Sequence, residues 1–257
     1  MLKFFRKIRQ NLISEGNTGK YLKYALGEIV LVVIGILVAL QINNSNEVRK
    51  TRDKELIYLN NIKEDLRLNI VELEEYSVSR DEAINSIALL MGFFEGKKDL
   101  NLNKFNLNNL NVLVWYPFIQ DANTYQELMN SGNLSLIANK EIKNELQNMQ
   151  KSYERIKFIE NEMQQDYESY LYDPYFSTAD LNTNLKNYSQ QLNNEKLNSK
   201  EELEIDPSEV VTLLNNRKYK NGLVLASYNS DLLKVEYQSM IVRAQRLIEL
   251  IDNESNK

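Results

Sequence analysis

The chain has 257 residues, a formal net charge of −5, and neither histidine nor cysteine. Without Cys there are no disulfides, thiolate zinc sites or iron–sulfur clusters, and without His no Ser-His-Asp triad or two-histidine metal site can be built. Only 3 Pro and 8 Gly accompany abundant Leu, Ile, Glu, Lys, Asn and Gln, a composition that predicts long helices and excludes an all-β fold.

Residues 1–13 place Met1, Phe5, Ile8 and Leu12 at helical spacing, while Lys3, Arg6, Lys7 and Arg9 supply cations around them. That pattern predicts an interfacial amphipathic helix attracted to anionic lipid, with a disordered basic tail as its alternative. Residues 24–42 then form an apolar run, unbroken from Ile29 to Leu40 and long enough to cross the roughly 30 Å of bilayer hydrocarbon. No small-residue cleavage site follows Leu40, so a retained signal anchor is expected rather than a cleaved signal peptide.

The first 23 residues hold six Lys/Arg and one acid, leaving 25 bases and 35 acids in the remainder. This bias favours a cytoplasmic N-terminus. The acidic body is unsuited to neutralising phosphates, and no nucleic-acid partner is expected. Within the run, Glu28, Gly35 and Ala39 fall within an arc of about 40° on a helix. An acid and a small-xxx-small pair on one face are the candidate transmembrane contact; an anchor with a headgroup-level Glu28 satisfies the same residues.

Beyond residue 43 one extracytoplasmic domain, 43–257, is expected. Leu56, Leu59, Ile62, Leu66, Ile70 and Leu73 recur at spacings of three and four, and Ile84, Ile87, Met91 and Phe94 extend the stripe until Gly92 and Gly96 loosen the chain. Residues 99–114 alternate Leu with Asn and read as irregular or helical. Thr124 and Glu127 have the spacing of a capping box, and Ser131-Gly132-Asn133 that of a turn. A stripe through Ile142, Leu146, Met149, Tyr153, Ile156, Ile159, Met163, Tyr167 and Tyr170 is expected to stop at Asp173-Pro174. Residues 178–204 read as a solvated connection or surface helix. Asp206-Pro207 restarts helix, and Leu233, Tyr237, Met240, Ala244, Leu247 and Ile251 mark a final one. These stripes imply an all-α fold: interfacial helix at 1–23, transmembrane helix at 24–42, then an antiparallel bundle of long helices.

Carboxylates cluster at Glu72-Glu74-Glu75, Glu160-Glu162-Asp166-Glu168 and Glu201-Glu202-Glu204, and the expected reading is solvated helix faces. No P-loop, EF-hand or dinucleotide turn appears, so neither enzyme activity, cofactor nor metal is expected. The aromatic segments 115–118 and 167–175 read as bundle packing, with a ligand pocket as the rival.

The opening KFFRKIRQ and GKYLKYALGEIVLVVIGILVALQINN resemble the start of an uncharacterised domain-of-unknown-function family of single-pass membrane proteins common in Bacteroidota. TYQELMNSGNLSLIANKEIKNELQNM, from Thr124, and LLNNRKYKNGLVLASYNSDLL, from Leu213, are similar to its internal and C-terminal parts. Ser45 departs from the tryptophan that follows the paired asparagines in that family. The resemblance implies a Gram-negative inner-membrane protein with its C-terminal domain in the periplasm, and it brings no catalytic residue. The partners expected are the lipid bilayer and other membrane or periplasmic proteins, or a second copy. A periplasmic small-molecule sensor relaying through a membrane partner is the alternative.

Overall fold

The computed structural model describes residues 18–192 and 204–256, so the expected interfacial helix over 1–13 lies outside the described residues. All the regular structure described is helical: α1 (Thr18–Phe94), α2 (Leu102–Leu113), α3 (Asn123–Asn130), α4 (Lys140–Asp166), α5 (Asp173–Phe176), α6 (Leu181–Leu192), α7 (Pro207–Leu214) and α8 (Arg217–Ser255). The chain divides into two compact units, one ending at Ile57 and one beginning at Tyr58.

In the first unit α1 carries the one stretch among the described helices that is long and apolar enough to cross a membrane, and none of it is buried. That is compatible with a membrane anchor near the N-terminus.

The second unit is built on α1, α4 and α8. Lys63 of α1 pairs with Asp252 and Asp81 with Lys234, so α8 runs antiparallel to α1. Arg243 and Arg246 pair with Glu145 and Glu141, so α8 is antiparallel to α4 as well, and α1 and α4 run parallel. Each helix turns one seam inward at alternating spacings of three and four. On α8 this is Tyr219, Leu223, Ala226, Ser230, Leu233, Tyr237, Met240, Ala244, Leu247 and Ile251, all fully buried, the last six as the apolar spacing predicts. On α1 it is Leu59, Ile62, Leu66, Asn69, Leu73, Tyr76, Arg80, Ala83, Ile87 and Leu90. Asn69 and Arg80 are both almost completely buried, whereas Ile70 and Ile84, which the apolar spacing favours, stand beside the seam. On α4 the seam runs Ile142, Leu146, Met149, Tyr153, Ile156, Glu160 and Met163 and continues to Tyr167 just beyond it, with Glu160 where Ile159 is expected.

Local boundaries follow their chemistry. Gly92 stays helical, and Gly96, at φ +62°, ends α1 with Lys97 N–H donating to the Gly92 carbonyl and Gly96 N–H to Phe93. The expected capping box at Thr124 does not form. Thr124 is buried inside α3, its N–H donates to Asp65 on α1, and Glu127 instead accepts from the Tyr58 hydroxyl. An acid from another helix supplies the cap. Nor does the chain stop at Asp173-Pro174: a π-helical turn, Tyr167–Tyr172, leads directly into α5 with Pro174 in its first turn. Proline lacks the N–H that a continuing α-helix would use, and the widened turn ahead of it re-routes the bonding. Asp206 caps α7 through Ser208 N–H, as its spacing predicts.

At Gly222, α8 packs tightly against the π turn. A Cβ added at Gly222 would lie 2.7 Å from Leu171 Cδ2 and 2.8 Å from Tyr170 Cβ, so only glycine fits. Gly222→Val is expected to destabilise the domain by about 2 kcal/mol, the range of core overpacking, while leaving helix content intact. Thermal melts followed by circular dichroism check this; an unchanged midpoint would show that the approach is not tight.

Candidate functional site

The polar groups buried in the bundle converge on one layer. Arg80, only 2% exposed, donates Nη2–H to the Tyr116 carbonyl at 3.3 Å, lies 3.8 Å from Met163 Sδ, and places its guanidinium 5.5 Å from the centre of the Trp115 ring. It forms no ion pair among the described residues, and its Nε has no hydrogen-bond partner. Glu160, 4% exposed, accepts from Phe118 N–H at 2.9 Å and from the Tyr237 hydroxyl at 3.0 Å. Tyr76 sends its hydroxyl to the Pro117 carbonyl and sets its ring edge-on to Phe118 and Tyr237. A buried guanidinium and a buried carboxylate each cost several kcal/mol of hydration. Here that cost ties the loop between α2 and α3 to all three long helices.

Burial pushes the Glu160 carboxyl up from its ordinary range, opposed by its two donors and by the Arg80 charge. The same desolvation raises the Tyr237 phenol, with the Glu160 charge adding to it. Both groups keep their protons more tightly than in water. Among the described residues of the three sequence clusters of carboxylates, only Glu160 enters the core, and Glu74, Glu75, Glu162 and Glu168 are exposed; Glu201 and Glu202 lie outside the described residues. Solvated faces are the correct reading for those four, and Glu160 is the exception that apolar periodicity passes over. No group of three or more carboxylates among the described residues is placed to hold a metal ion.

A second polar group sits at the far end of the domain, where α2, α5, α6 and α7 meet. The segment 178–204, expected as a solvated connection or a surface helix, contains the helix α6, whose Asn184 and Asn187 are buried against Asn106 of α2. Tyr219, fully buried, donates to Asn109 Oδ1. Asn109 Nδ2 and the Tyr175 hydroxyl are both buried, the Asn109 side chain acts on the Tyr175 phenol, and both residues line a narrow cleft with Asn184, Glu209 and Leu213. Burial pushes the Tyr175 phenol up to about 12, so it stays a donor at physiological pH. The aromatic segments therefore divide: Phe118, Tyr167 and Tyr175 are core, Trp115 packs edge-on against Tyr167, and Tyr116 faces outward.

Glu28, Gly35 and Ala39 all lie on the first unit's part of α1. Gly35 and Ala39 are exposed, Glu28 is half-buried, and a Cβ on Gly35 would meet no atom within 4 Å.

Residues 28–218 match the model of a family of unknown function, DUF6090. No curated protein and no solved structure matches the sequence.

The raised Glu160 pKa fixes the sign of a pH effect. In the folded domain this carboxyl binds its proton more tightly than in the unfolded chain, so its contribution to stability is full below the ordinary glutamate pKa and falls as pH rises through the folded value. Glu160→Gln is expected to remove that fall. The variant-minus-parent difference in melting midpoint should therefore shift in favour of the variant as pH is raised from about the ordinary glutamate value toward neutrality. A flat difference across that window would show that Glu160 is not desolvated. Arg80→Met, which strips the Tyr116 carbonyl of its donor and Glu160 of its nearest buried cation, is expected to cost about 3 kcal/mol in the same melts.

Proposed function

The chain belongs to the DUF6090 family of unknown function, and from that premise we propose that it is a membrane-anchored interaction protein rather than an enzyme. In this reading α1 crosses a bacterial inner membrane once, residues 1–23 stay in the cytoplasm, and the helical domain works in the periplasm. There it binds other membrane or periplasmic proteins, or a second copy of itself, as an accessory module. The observation that carries the proposal is the apolar stretch of α1, long enough to span a bilayer and unburied by any of the described residues. Exposed apolar surface of that extent calls for lipid or a partner helix. The excess of Lys and Arg ahead of it supports the orientation. Glu28, Gly35 and Ala39 supply the face on which a second transmembrane helix would pack.

A second reading, a periplasmic sensor for small molecules, draws on the cleft between α2, α5 and α7. Asn109 and Tyr175 place a buried amide and a buried phenol on its wall. The free space at its floor is about that of one water, so a ligand would have to open the cleft, and the uncharged amide and phenol on its wall suit a small neutral polar molecule. Thermal shift of the full chain in neutral detergent against polyols, neutral amino-acid amides and sugars tests it: a raised midpoint that Asn109→Leu abolishes supports a sensor, and no shift with any of them removes it.

Because the native chain has no cysteine, topology is read directly from single replacements at Ser14 and at Asn144, an exposed position on α4. A membrane-impermeant maleimide applied to spheroplasts is expected to label Asn144→Cys, and Ser14→Cys only after permeabilisation. The reverse pattern would place the domain in the cytoplasm and overturn the proposed orientation.

A further inference from the structure

The loop between α2 and α3 is held more firmly than a surface connection of its length requires. Tyr172 donates to the Leu113 carbonyl, Arg80 to Tyr116, Tyr76 to Pro117, and Glu160 accepts from Phe118 N–H. Further on, Asn69 binds Asp121 through both its N–H and its carbonyl, at 2.8 and 2.6 Å. The main chain of this loop is thus bonded from α1 and α4, and the end of α2 that leads into it from the π turn, two of the loop's anchors being the buried Arg80 and Glu160.

What this clamp holds outward is apolar. Tyr116 is 69% and Ile119 72% exposed, with exposed Pro117 between them. A loop already ordered loses little freedom on binding, and rigidly presented aromatic and aliphatic side chains are the groups that dominate interface energies. Beside the loop, Leu68, Glu72 and Glu75 follow one another at i, i+4 and i+7 on α1, Leu68 being 56% exposed. Glu72 is raised from its ordinary pKa by burial and then by the charges of Asp121 and Glu75. Among the described residues none of these three carboxylates pairs with a cation. Their field is uncompensated within the domain and favours an approaching positive charge.

We propose that Tyr116, Ile119 and Leu68, rimmed by Glu72, Glu75 and Asp121, form a docking surface for a cationic amphipathic segment of a partner protein. A second copy fits less well, because a two-fold pairing of this face would bring one set of carboxylates against the same set. The proposal rests on reading the domain as an interaction module and adds the place and the chemistry of the partner.

The test uses the full chain in neutral detergent and a fluorescent Lys/Leu amphipathic peptide, with its Glu/Leu counterpart as control. The cationic peptide is expected to bind and the acidic one not. Tyr116→Ser with Ile119→Ser, and separately Glu72→Gln with Glu75→Gln, are each expected to weaken binding by about tenfold or more, a step of roughly 1.4 in kcal/mol. Glu154→Gln with Glu162→Gln, exposed acids on α4, should leave it unchanged. Equal loss in that control, or none in the Tyr116/Ile119 pair, overturns the docking surface. Photo-cross-linkers introduced at Ile119 and at Val235, an exposed position on α8, separate this from the broader reading. Cross-links from Ile119 to Lys/Arg-bearing segments, lost on Glu72→Lys with Glu75→Lys, support the surface; protein cross-links from Val235 alone reject the surface and keep the interaction module; none from either position counts against both.

Discussion

The polar layer of Arg80, Glu160 and Tyr237 is the constraint on which the arrangement of the second unit depends. A guanidinium and a carboxylate placed in the seams of α1 and α4 are tolerable only if their donors and acceptors arrive at one level, and this sets the axial register of three long helices at once. Shift α8 by one seam position and Tyr237 leaves Glu160; shift α1 and Arg80 loses both the Tyr116 carbonyl and the Trp115 face. Apolar seams by themselves are forgiving of such slips, since Leu against Leu is much the same one turn further along. Asn69 adds a second fixed level, bonded to both sides of Asp121.

From that layer the connecting segments take their places. Because α1 and α4 run parallel, the chain between them must return along the bundle, and it does so through α2, the Trp115–Phe118 loop and α3. The loop is drawn in at the polar layer; α3 receives its N-terminal acceptor from Asp65 on α1; α2 remains at the other end, where its asparagines meet those of α6. There the α8 helix comes so close to the π turn that Gly222 has no room for a side chain. One end of the domain is therefore filled by amide and phenol hydrogen bonds, the other by aliphatic contacts between α1, α4 and α8, with Asn69 and the polar layer set into their seams.

Much of this was legible in residue spacing. Ile142, Leu146, Met149, Ile156 and Met163 on α4, and the six positions from Leu233 to Ile251 on α8, are buried where a period of three and four puts them. The misses share a cause. Asn69, Arg80 and Glu160 occupy seam positions, but a reading that seeks apolar residues moves to the neighbours Ile70, Ile84 and Ile159. Unbroken counting from Leu59, ignoring residue type, would have reached Asn69 and Arg80. Thr124 had the sequence of a helix cap yet is buried inside α3, because Asp65, remote in the chain, does the capping. Pro174 had the sequence of a stop, yet the π turn ahead of it carries the helix to Phe176.

The sequence by itself determined the all-α class, the single membrane-length apolar stretch, the absence of histidine and thiol chemistry, and the main helical stripes, because each of these follows from residue identity and local period. Only the tertiary structure decided which polar residues are interior, which acid caps which helix, and that Tyr116 and Ile119 face outward from a clamped loop. Those outcomes depend on groups tens of residues apart reaching hydrogen-bond distance, and a local pattern carries no record of which distant partner will satisfy a buried charge.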